Sequence, residues 1–133
     1  MTTPSTATLP NWPAWIGLPH SFGASPESGI GCDCLVMVWQ ILDAAGVPHP
    51  PLDSAWNRLA AEGRWIELER LWHRSTEPIP VPEPFSVVLF KNGPAGLGVG
   101  IVIDDGVLMV HHRKGVIWVP CRLLKLTYSR FCQ

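Results

Sequence analysis

The chain has 133 residues, 47% of them apolar and 16% charged, with a formal net charge of −1. That length supports one domain with a real core, and the near-neutral balance argues against a nucleic-acid binder. No stretch is long and apolar enough to span a bilayer, and the Thr/Ser/Pro-rich start has neither the basic head nor the apolar run of a signal peptide.

In chain order, residues 1–10 are expected to be a flexible or partner-bound tail ahead of one domain spanning 11–133. Trp12 and Trp15, three apart around Pro13, suit a short helical turn. Residues 18–31 carry Pro19, Gly23, Pro26, Gly29 and Gly31 and read as loop. From Cys34 to Ala45 ten of twelve residues are apolar, which predicts a buried helix. Asp33 is a good N-cap for it, and Gly46 followed by Pro48 ends it. Asp53 is placed to cap a second helix through Trp56, Leu59 and Ala60. A third, over 65–73, puts Trp65, Leu68 and Trp72 on one face.

Residues 76–84 hold four prolines and are excluded as a central strand. Short β runs follow at 86–91, 97–103, 107–112 and 116–119, with Asp104-Asp105-Gly106 as a hairpin turn. Residues 126–131 are expected to form a last, edge strand. Helices first and an antiparallel meander second make the class α+β.

Two compositional features point outward. Seven Trp in so short a chain suggest surfaces buried against partners as well as a core. All eleven acidic residues lie at or before Asp105, while Arg113, Lys114, Arg122, Lys125 and Arg130 follow, leaving a basic C-terminal strip suited to an acidic partner.

Chemistry concentrates at Gly31-Cys32-Asp33-Cys34. Cys34 opens the buried helix, where free N–H groups and the helix dipole favour an anion, so a stabilised thiolate is expected. The plainer alternative is a buried cysteine that only packs. A nucleophilic Cys needs a base within reach and a group to orient that base. A rival use of the thiols is metal or iron–sulfur ligation by Cys32, Cys34, Cys121 and Cys132, though a Cys-x-Cys spacing with two isolated partners is a weak ligand pattern. No cofactor or metal is expected.

A capped Cys on a buried helix against an antiparallel sheet that supplies His is the papain-type layout. Trp15-Ile16-Gly17-Leu18-Pro19, then Gly31-Cys32-Asp33-Cys34-Leu35, then Gly98-Val99-Gly100-Ile101 with its Asp-Asp-Gly turn, and Val110-His111, together resemble the NlpC-type cell-wall cysteine peptidases, in the branch found in tails of phages and gene transfer agents. The resemblance implies a papain-like fold with the central helix on a five- or six-stranded antiparallel sheet. It implies Cys34 as nucleophile and His111 as third polar residue. The general-base position falls on Gly98, expected to face the helix start; His20 stands where an aromatic Tyr is usual, and Phe85-Ser86 where Gly-Asp is usual. The implied function is a phage tail-tip component of degenerate peptidase fold, made in the host cytoplasm and carried in the virion tail beside other tail-tip or baseplate proteins. The alternative is an active peptidase cutting peptidoglycan stem peptides with His20, His111 or His112 helping Cys34.

Overall fold

A computed structural model of the chain describes residues 9–52 and 54–132. The expectations for residues 1–8 of the tail and for Asp53 as a cap lie outside them. The molecule is α+β, with helices α1 (Cys34–Ala45), α2 (Ser54–Ala61) and α3 (Trp65–Ser75). Strands β1 (Thr76–Ile79), β2 (Val87–Lys91), β3 (Leu97–Ile103), β4 (Gly106–His111), β5 (Gly115–Pro120) and β6 (Tyr128–Phe131) form one antiparallel sheet in the order β1-β6-β2-β3-β4-β5.

The central helix begins and ends where its caps require. The Asp33 carboxylate accepts from the backbone N–H groups of Leu35 and Val36, and Gly46 closes the helix in the left-handed conformation. Eight of its residues are buried, so it is apolar nearly all round because it is covered nearly all round. Its sheet-facing side packs on β3, against Val99, Ile101 and Ile103.

The β3–β4 connection is a two-residue turn in which Asp104 and Asp105 both take positive φ, the geometry that matches strand twist. The edge strand differs from expectation. β6 lies inside the sheet between β1 and β2, and the edge is β1. Pro78 fits there because an edge residue can leave one side of its backbone unpaired. The other edge, β5, is capped by the N-terminal segment: Gly17 N–H donates to Val116 O and Val116 N–H to Leu18 O, both at 2.9 Å.

The tryptophans are spent inside the molecule. Trp15, Trp39, Trp56 and Trp72 are buried, and Trp12, Trp65 and Trp118 pack against the same core. Trp39, Trp56, Trp72 and Phe131 form an aromatic cluster with ring centroids 5.4–6.5 Å apart, edge-to-face except for the tilted Trp39–Trp56 pair, joining all three helices to β6. Their number therefore reflects in large part a small core built from large side chains, with Trp12, Trp65 and Trp118 left partly exposed. Among the described residues no helix is long and apolar enough to cross a membrane.

Candidate active site

The start of α1 is fastened on three sides. Asp33 is buried, and besides capping the helix its second carboxylate oxygen accepts from Gly23 N–H at 2.7 Å. Asp33 N–H donates to Ala24 O at 2.9 Å. One carboxylate thus ties the loop over residues 20–24 to the helix. Alongside, Cys32 N–H donates to Pro19 O and Ser21 N–H to Cys32 O, a short parallel bridge that brings His20 beside the Cys32 backbone. Gly31 is required here, since a Cβ would crowd Ser21 Cβ at 2.5 Å and Pro19 O at 3.2 Å.

Cys34 and Asp33 line a cleft of about 580 Å³. His20 and Phe22 stand on its loop wall, Ala60 and Ala61 at the end of α2, Gly63 on the α2–α3 connection, Trp65 and Leu68 on α3, and Pro94, Ala95, Leu97 and Val99 on the β2–β3 side. The structure therefore brings Cys34 and His20 together in one cleft. His111 is elsewhere. Its Nδ1 accepts from the backbone N–H groups of Arg113 and Lys114, both at 3.1 Å, and its ring stacks on that of His112 at 4.5 Å. His112 in turn reaches Asn92, whose Oδ1 accepts from His112 N–H at 3.0 Å while its Nδ2–H donates to Val110 O at 3.0 Å. Neither histidine is among the cleft residues.

The expected thiolate is not favoured. Burial pushes the Cys34 thiol from its ordinary 9.0 up to about 12, and the Asp33 charge pushes the same way. Backbone groups of Val99, Leu35 and Cys34 itself pull it down without prevailing. The cap that starts the helix thus sets a negative charge beside the sulphur and opposes the dipole effect. Cys32 is also raised to about 12, by burial first and then by Cys34 and Asp33.

Gly98 does not face the helix start. Cross-strand from Phe90, it is placed so that a Cβ would run into the Phe90 ring on the opposite side of the sheet. The cleft-facing residues of β3 are its neighbours Leu97 and Val99. The alternation Val99-x-Ile101-x-Ile103 carries this signal, whereas the cleft walls from Ala60, Ala61, Gly63 and Trp65 had no local signature. The cysteines are separated as well: Cys121 packs on the face away from α1, and Cys132 is exposed at the chain end. Among the described residues no three His, Cys, Asp or Glu side chains are grouped to hold a metal ion.

No protein-family model matches the chain, and no curated protein matches it.

Proposed function

We propose that the chain is an NlpC-type, papain-like domain whose thiol site no longer hydrolyses peptides and that serves as a structural component of a phage tail tip. The observation that carries the loss of hydrolysis is the cleft itself, in which Cys34 is buried beside Asp33 and which neither His111 nor His112 lines; burial first and then the Asp33 charge raise the thiol above its ordinary value. General-base assistance is worth about a hundred- to ten-thousand-fold in such reactions. Kinship with the family is supported by the Cys-bearing helix start on an antiparallel sheet. It is also supported by Phe85, which takes φ 64° where the family carries glycine, the residue for which that conformation is relaxed. The tail-tip role, synthesis in the host cytoplasm and partnership with other tail-tip or baseplate proteins rest on the resemblance of the sequence motifs.

The second reading is a working peptidase acting on peptidoglycan stem peptides, and the observation favouring it is that His20 shares the cleft with Cys34. Incubation of the purified protein with peptidoglycan separates the two. The proposal expects no released muropeptides, and thiol alkylation at Cys34 that is slow at neutral pH and rises only in strong alkali. Muropeptides whose release is abolished by both Cys34→Ala and His20→Ala would establish the second reading instead.

A further inference from the structure

The walls of the Cys34 cleft are unlike those of a site for a charged peptide. Ten of its fourteen lining residues are apolar side chains, and among the described residues no Lys or Arg reaches it. Its titratable groups are His20, Asp33 and Cys34, which stand together: Asp33 and Cys34 are chain neighbours, and His20 is bridged to Cys32. Asp33 already accepts from three backbone N–H groups, so no donor on a ligand is needed to satisfy it. Leu35, Leu68 and Val99, which form the inner walls, are each 3% exposed or less. At about 580 Å³ the volume is that of a small-molecule site.

We infer that this cleft binds an uncharged acyl chain, the alkyl part lying along Leu35, Leu68, Leu97 and Val99 and the carbonyl end beside Cys34 and His20. The inference rests on reading the cleft as the functional site and adds its ligand class. A free carboxylate in this place would be set near Asp33 with no cation to pair with, and an unpaired buried charge is strongly disfavoured. An ester or amide carbonyl asks only for a hydrogen-bond donor. The polar end and apolar body of the ligand thus match the polar end and apolar body of the cleft.

Titration calorimetry with 1-monodecanoylglycerol and with decanoate at pH 8, each below its aggregation threshold, tests this. The expected result is one site for the neutral ester, with decanoate weaker by about tenfold or more. Ala61→Phe, at the α2 wall, should weaken the ester by about tenfold by filling the cleft, with an unchanged melting temperature. Equal or tighter binding of decanoate to the unmodified protein, absence of ester binding, or indifference to Ala61→Phe would each overturn the inference. Hydrolysis, followed separately by product release, bears on the loss-of-activity proposal and not on the binding preference.

Discussion

On the α1 side of the sheet, β3 presents Leu97, Val99, Ile101 and Ile103; on the other side it presents Gly98, Gly100 and Val102. The first face carries the large core and the cleft. The second carries a small core of Val88, Val102, Val107, Met109 and Tyr128, roofed by Phe90, Cys121, Leu124 and Leu126. A Cβ on Gly100 would press on Val107 Cγ1 at 2.8 Å, so the glycines are what let this thin second layer close down. The difference bears on function. The absence of a side chain at position 98 is a packing feature of the second face, and the cleft on the first face is walled by residues of its own.

The sharpest way to break that contrast is to truncate one buried side chain to alanine on each face. Ile101 is fully buried on the helix side, and Ile101→Ala is expected to cost about 2–5 kcal/mol. Val102→Ala, next in the chain but on the thin side, removes less and is expected to cost about half that or less. Urea denaturation of both variants decides it; equal losses, from the smaller truncation at Val102, would mean that the thin layer is packed at least as well as the large one.

Next in size is Gly98→His. The imidazole enters the space of the Phe90 ring, an overpacking expected to cost about 1–3 kcal/mol. It should leave the alkylation rate of Cys34 unchanged at neutral pH, and Phe90→Ala in the same chain should recover part of the stability. A faster Cys34 would show that residue 98 reaches the cleft after all.

The fold was more legible than the site, for a physical reason. Cys34–Ala45 declares itself through a continuous apolar run between an Asp cap and a Gly stop, and the Asp-Asp-Gly turn fixes β3 against β4; both signals are local. The edge strand was missed because its pairing with β6 joins Thr76 to Phe131, across more than fifty positions, and prolines mask its propensity. At the site, Cys34 and His20 could be named from sequence and share a cleft. The protonation state of Cys34 could not, because a helix start and a buried negative neighbour act in opposite directions and only the degree of burial settles the balance.

Asp33→Asn separates those two effects. Asn caps a helix about as well as Asp and its amide oxygen still accepts from Leu35 N–H, so the expected cost, about 0.5–1.5 kcal/mol, is that of the Gly23 N–H bond to the second carboxylate oxygen. Because the Asp33 charge raises the Cys34 thiol, its removal should shift the alkylation profile of Cys34 toward lower pH, though burial, the larger cause, keeps the thiol above its ordinary 9.0. An unmoved profile in a folded variant would assign the whole elevation to burial.

The smallest expected effect belongs to His111, and its sign is fixed by its bonds. Nδ1 accepts from two backbone N–H groups at the hairpin tip, so the ring proton is on Nε2, and a second proton would displace both bonds. Burial first, then the charges of His112, Lys114 and Arg113, lower its pKa below the ordinary 6.5. The unfolded chain therefore binds this proton more readily than the folded one. The hairpin contribution is complete above pH 6.5 and is lost as pH falls through that value toward the lower folded pKa. His111→Ala should flatten that part of the stability profile and cost under about 1 kcal/mol, since the accepted bonds are solvent-exposed. The same variant tests the separation of the β4–β5 turn from the cleft: a ring that only closes its own turn leaves the alkylation rate of Cys34 untouched, whereas a ring that orients a base for Cys34 would slow it.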